Sequence, residues 1–177
     1  MVFKETRFKG AFIIELEKII DDRGFFSRAW CQKEFEAKGL NTNIAQCNLS
    51  FNTTKGTLRG MHYQIAPHEE AKIIRCTRGK VYDVIIDLRP KSPTYLRWAG
   101  FELSSENRKM LYVPENFAHG YLTLADNTEL FYQVSRFYSP ESECGIRWNE
   151  RAINIKWPRT NGLIITDKDK NWPDFPV

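Results

Sequence analysis

Residues Lys72–Leu88 read KIIRCTRGKVYDVIIDL, two β-type runs, Lys72–Thr77 and Val81–Leu88, joined by an Arg78-Gly79-Lys80 turn. In the second run Tyr82, Val84, Ile86 and Leu88 take one face and Val81, Asp83, Ile85 and Asp87 the other. The pattern recurs along the chain. Phe12–Leu16 ends before a break at Asp21-Asp22-Arg23-Gly24. Gly56–Tyr63, Leu96–Leu103, Lys109–Val113, Gly120–Leu124, Glu129–Ser135 and Ala152–Ile155 are further strand candidates. Pro90, Pro93, Pro114 and Pro140 fall between the runs, where proline is tolerated. Gln32–Lys38 suits a short helix with Gly39 past its end, and the stretch from Trp157 suits short helical turns. Short strands at roughly 8–12-residue spacing with few helices predict an all-β sandwich, jelly roll or barrel.

At 177 residues the chain fits one domain, 1–177, with a real core. Lysine and arginine total 26 against 22 acidic residues, interleaved as in KEFEAK and TDKDK, which gives no basic patch for nucleic acid. Cys31, Cys47, Cys76 and Cys144 are widely spaced and read as free, mostly buried thiols. The N-terminus lacks an apolar signal region and no stretch approaches a membrane span, so the expected location is cytoplasmic. Asn48-Leu-Ser and Asn52-Thr-Thr match glycosylation sequons, which carry no weight without secretion.

The chemistry centres on Gly56–Gln64, GTLRGMHYQ, which sets Arg59 and His62 in one β-segment of a chain with three histidines. Three readings compete. His62, His68 and His119 with Glu70 would make a metal site, but the position two after His62 is Gln64, a poor ligand. A lone strand histidine is otherwise a packed ring. The third reading is proton transfer: Lys72 shares a face with Ile74 and Cys76, and Tyr132 with Leu130 and Val134, so both polar groups point inward and need partners. Strict alternation sends Arg59 and His62 to opposite faces unless Gly60 marks a bulge.

The motifs taken together resemble the dTDP-4-dehydrorhamnose 3,5-epimerase family nearly end to end. They are DDRGFF at 21–26, QCNLS at 46–50, GTLRGMHYQ at 56–64, KIIRCTRGKVYDVIIDLR at 72–89 and SPTY at 92–95. LYVPENFAHGY at 111–121, ELFYQVSRFY at 129–138, IRWNE at 146–150 and ITDKD at 165–169 follow in order.

The resemblance implies a cupin-type jelly roll that works without metal or cofactor as a homodimer, with an exchanged N-terminal segment. Its ligand would be a nucleotide-linked 4-keto-6-deoxyhexose, epimerised at carbons 3 and 5. On the matching positions His62 would be the base, Asp169 its orienting partner, Lys72 the enolate stabiliser and Tyr132 the opposing acid. Arg59 would bind the diphosphate, with Arg23 a second substrate contact reaching the neighbouring subunit. Gln46 and Asn48 match nucleotide contacts and Tyr138 an aromatic that stacks on the base. His119, Glu143 and Lys168 match further ligand contacts.

Arg28 stands where the family carries a glutamate that helps bind thymidine, exchanging an acceptor for a donor. The loop from Asn48 to Arg59 is also one residue longer than is typical. A carbon-3-only epimerase, an epimerase of another nucleotide sugar and a non-catalytic sugar-binding cupin stay open on sequence.

Overall fold

A computed structural model describes residues 1–175; Pro176 and Val177, the end of the expected domain, lie outside the described residues. Thirteen strands dominate it. They are β1 (Val2–Glu5), β2 (Phe12–Glu15), β3 (Ile19–Asp21), β4 (Gly24–Phe26), β5 (Gln46–Asn52), β6 (Leu58–Gln64) and β7 (Lys72–Arg78). After these come β8 (Lys80–Asp87), β9 (Trp98–Ser104), β10 (Met110–Val113), β11 (Phe117–Thr123), β12 (Thr128–Val134) and β13 (Glu143–Gly145). Two short α-helices, α1 (Gln32–Glu36) and α2 (Asp167–Lys170), and a 3-10 turn at Pro140–Ser142 complete the set. One sheet runs β1-β2-β10-β7-β12-β5, a second runs β13-β6-β11-β8-β9, and β3 pairs only with β4. The two large sheets form a jelly roll, one of the three all-β architectures the strand spacing allows and the one the family resemblance implies.

The apolar alternation of β8 explains the layering. Val81 and Ile85 enter a core shared with Ile74, Cys76, Leu111 and Leu130, which come from the six-stranded sheet. Val84 and Ile86 face the other way, into a cluster with Leu58, Leu122, Ile153 and Trp157 that is closed by the C-terminal segment. Ile73, Met110 and Tyr112 similarly pack beneath Phe35 of α1. Strands buried on both faces must be apolar on both, which is why Lys72–Leu88 stands out in the sequence.

The turn at Gly79 is a corner rather than a hairpin: β7 and β8, one residue apart, belong to different sheets. Gly79 takes φ +74°, and a Cβ there would lie 2.4 Å from Thr128 Oγ1. Asp87 closes the far end of β8, accepting hydrogen bonds from Arg89 Nε and Nη2, Ser92 Oγ and Thr94 Oγ1.

Some expectations change. Ala152–Ile155 is a turn, not a strand. Ile153 and Ile155 anchor the C-terminal cover, but Asn154 between them takes φ +53° and its N–H returns to Glu150. Of the four free cysteines only Cys76 is buried; Cys47 is exposed. No helix among the described residues is long and apolar enough to cross a membrane.

Candidate active site

The site is built on a bulge. His62 pairs with His119 across β6 and β11, and Arg59 pairs with Tyr121, so β6 spends one residue more than β11 between the two pairs. The extra residue lets two side chains that simple alternation would separate line one cavity. Gly60 makes this possible: its φ is +120°, and a Cβ would lie 2.5 Å from Gly120 Cα and 2.8 Å from the His119 carbonyl. Only two facing glycines allow backbones to approach so closely.

Two adjoining cavities, of about 380 Å³ and 200 Å³, meet at His62, Lys72 and Tyr132. His62 comes from the five-stranded sheet, whereas Lys72 and Tyr132 come from the six-stranded one. The ring Nε2 of His62 lies 2.6 Å from Asp169 Oδ1. Asp169 sits on α2, whose start is capped by the Thr166 hydroxyl, and its other oxygen accepts the Gly60 N–H at 3.2 Å. Burial pushes the Asp169 carboxyl up, but the bond and charge of His62 and the Gly60 N–H outweigh it and hold it below its ordinary value. An ionised Asp169 fixes the proton on Nε2 and leaves Nδ1 as the basic nitrogen.

Burial pushes the Tyr132 phenol above its ordinary value, with neighbouring Tyr121 and Glu70 adding to the effect and Arg59 opposing it. The phenol therefore keeps its proton through neutral pH. The Lys72 ammonium, one-tenth exposed, pairs with Glu70 at 3.0 Å. On the opposite sheet His119 Nε2 lies 2.9 and 3.0 Å from the two oxygens of Asp83, a fully buried carboxylate on the inward face of β8.

The larger cavity widens towards a polar mouth. Gln46 and Asn48 project into it from β5, and Gln46 accepts the Tyr138 N–H. The Tyr138 hydroxyl donates to Glu143, which also receives Lys168 at 2.6 Å. Burial raises the Glu143 carboxyl, but Lys168 and Tyr138 bring it below its ordinary value. An ionised Glu143 thus ties the exposed Tyr138 ring to the rim.

A sequence model described as dTDP-4-dehydrorhamnose 3,5-epimerase matches residues 5–176. The chain belongs to the dTDP-4-dehydrorhamnose 3,5-epimerase family. It is 44% identical over 172 residues to dTDP-4-dehydrorhamnose 3,5-epimerase of Shigella flexneri, covering 97% of this chain and 94% of that protein. The crystal structure of the enzyme from Elizabethkingia anophelis superposes with a TM-score of 0.95 at 38% identity, over 99% of this chain and 96% of the other. The enzyme from Bacillus anthracis, solved with TDP and PPi bound, gives 0.93 at 39% identity, over 98% and 100%.

Within this family fold, His62, Tyr132, Asp169, Lys72, Arg59, His119, Gln46, Asn48, Tyr138, Glu143 and Lys168 are brought together at or beside the two cavities. Arg23 and Arg28 are not. Arg23 lies at the β3–β4 turn paired with Asp21, and Arg28 pairs with Glu34 on α1; neither lines the cavities of its own chain. The physical reason is that β3 and β4 pair only with each other and stand off both large sheets. No three metal-ligating side chains converge among the described residues; His62, His68 and His119 turn to Asp169, Ser142 and Asp83 respectively. The sequence reading missed Asp83 and the role of Glu70 as partner of Lys72. Asp83 left a signal, a carboxylate between Val81 and Ile85 on a core-facing strand.

Proposed function

We propose that this chain epimerises carbons 3 and 5 of a nucleoside-diphosphate-linked 4-keto-6-deoxyhexose, of the dTDP-4-dehydro-6-deoxyglucose to dTDP-4-dehydro-L-rhamnose type. A single domain, 1–177, carries the reaction. The hydrogens on both carbons flank the ketone, so removing either leaves an enolate. His62 Nδ1 takes the proton, with Asp169 stabilising the imidazolium. The Lys72 ammonium meets the charge developing on the carbon-4 oxygen. Tyr132 returns a proton to the other side of the ring, which inverts the centre.

One observation carries this reading: the Asp169-bound imidazole and the protonated phenol reach one cavity from opposite sheets. A sugar ring held between the sheets has a base on one face and an acid on the other. A binding module has no need of that opposition.

The remaining residues suit the nucleotide. Arg59 has the charge and fork for a diphosphate. Tyr138 offers a ring for stacking on the base, and Gln46, Asn48, His119, Glu143 and Lys168 supply polar contacts. A homodimer with an exchanged N-terminal segment completes the proposal. Ile19, Ile20 and Phe26 of the β3–β4 hairpin are 68%, 78% and 71% exposed, beyond what a solvated hairpin normally displays. Leu49 and Phe51 give the outer face of β5 a matching apolar surface. Seating the hairpin on a second copy would deliver Arg23 and Arg28 to the neighbouring cavity.

The test is proton exchange in heavy water with 4-keto-6-deoxyglucose carried on dTDP, UDP, CDP or GDP. Deuterium at both carbons with inversion is expected, and activity should survive a chelator. Exchange at carbon 3 alone would make the chain a monoepimerase. No exchange on any of the four nucleotides would overturn the proposal. Sedimentation checks the dimer, with a fully active monomer counting against the exchanged segment.

A further inference from the structure

Asn52, the last residue of β5, is only 3% exposed, yet its side chain makes three hydrogen bonds. Its Oδ1 accepts from Arg59 Nε at 2.8 Å, and its Nδ2 donates to the Thr128 carbonyl and to the Tyr121 hydroxyl, both at 3.3 Å. The Tyr121 hydroxyl is in turn 2.8 Å from Ser50 Oγ. The amide orientation is dictated by its neighbours, because a guanidinium nitrogen can only donate and a backbone carbonyl can only accept. Asn52 is therefore a fixed acceptor, tied on its other side to two elements of the inner cavity wall.

We propose that Asn52 is the positioning residue for the diphosphate-binding arginine; the inference rests on the role given to Arg59 above. The bond to Nε tethers one edge of the guanidinium. Among the described residues neither terminal nitrogen of Arg59 has a hydrogen-bond partner, and no carboxylate pairs with it. The Nη1/Nη2 edge is thus left open at the cavity, in the bidentate arrangement that phosphate oxygens accept. Holding a long side chain in its bound geometry beforehand lowers the ordering cost of binding. A neutral amide does this without cancelling the positive charge, whereas a carboxylate in the same place would compete with the diphosphate.

The effect belongs to binding rather than to chemistry, since Asn52 touches neither His62 nor Tyr132. Asn52→Ala should weaken dTDP binding about tenfold, the scale of one charge-assisted hydrogen bond. KM should rise by a similar factor and kcat should stay within about twofold. Thymidine, which lacks the diphosphate, should bind the variant as it binds the native protein. The double variant Asn52→Ala/Arg59→Ala should be no weaker for dTDP than Arg59→Ala alone. Native dTDP affinity in Asn52→Ala, an equal loss for thymidine, or a further loss in the double variant would each overturn the proposal. If Arg59→Ala itself left dTDP affinity intact, the diphosphate reading would fall and this inference with it. Should Asn52→Ala not fold, Asn52→Leu replaces it. Leucine fills the same volume but offers no acceptor to Arg59 Nε, so dTDP affinity should again fall about tenfold; unchanged affinity overturns the proposal.

Discussion

His62 and His119 are direct cross-strand partners, and each points its Nε2 at a carboxylate of its own, Asp169 for the first and Asp83 for the second. The two pairs are unequal. Asp169 arrives from a short C-terminal helix and also holds the Gly60 bulge, whereas Asp83 lies inside the core on β8. In the proposed mechanism, with Tyr132 reaching the cavity from the other sheet, only the Asp169 pair cycles a proton. Asp169→Asn, which loses the charge and permits the wrong tautomer, should lower kcat by about 10²–10⁴-fold with little change in KM. Asp83→Asn should cost kcat at least about tenfold less. Steady-state kinetics on the two variants decides this, and equal losses would mean that His119 also moves protons.

The proposed mechanism gives Tyr132 a separate signature because its acid and base are on different sheets. Tyr132→Phe keeps the ring and its packing but removes the proton donor. His62 can still take a proton and return one to the same face. In heavy water the variant should therefore wash deuterium into substrate while net inversion falls about 10²–10⁴-fold. The raised phenol also sets a sign. A donor that holds its proton beyond its ordinary value keeps the native rate from falling on its account until the pH exceeds about 10. Loss of exchange together with inversion would show that Tyr132 does more than protonate.

Much of this arrangement is legible in the sequence, for identifiable reasons. β7 and β8 announce themselves because both of their faces meet cores. Lys72 and Tyr132 stand out because a polar group on such a face demands a partner. β5 stays hidden because its amphipathicity is inverted: Asn48, Ser50 and Asn52 face the interior, the first two at the cavities, while Leu49 and Phe51 face outward. A strand with polar residues inside and apolar ones outside reads as a loop. The Ile153-Asn154-Ile155 alternation misleads in the opposite sense, since two anchors flanking a left-handed residue imitate a strand. Which carboxylate pairs with which histidine was legible for Asp169 only through family resemblance, because the partners are 107 residues apart.

Gly60 tests whether the bulge sets the site. Alanine there adds a Cβ within 2.5 Å of the Gly120 backbone in a conformation that L side chains rarely adopt. The strands must move apart, at a cost of about 2–4 kcal/mol. Arg59 and His62 lie on either side, so both dTDP binding and turnover should fall. Gly79→Ala, strained to a similar degree at a corner away from the cavities, should lower the melting temperature while leaving the turnover of the folded fraction near native. Thermal melts combined with active-site titration separate the two outcomes.

Asp87 carries a stability prediction with a definite pH window. Burial raises its carboxyl, but the bonds from Arg89, Ser92 and Thr94 outweigh this and bring it down from 3.8 to about 2. A group lowered on folding contributes stability above its unfolded value and loses it as the pH falls through the folded one. At 1.36 kcal/mol per unit, the shift is worth about 2 kcal/mol at neutral pH and fades between about pH 4 and pH 2. Asp87→Asn should therefore lower the urea midpoint clearly at pH 7 and much less near pH 2.5. Asp87 touches no cavity residue of the site, so kcat of the folded variant should stay near native at pH 7. An equal destabilisation at both pH values would mean that Asp87 stabilises the far end of β8 by shape alone, with its charge contributing nothing.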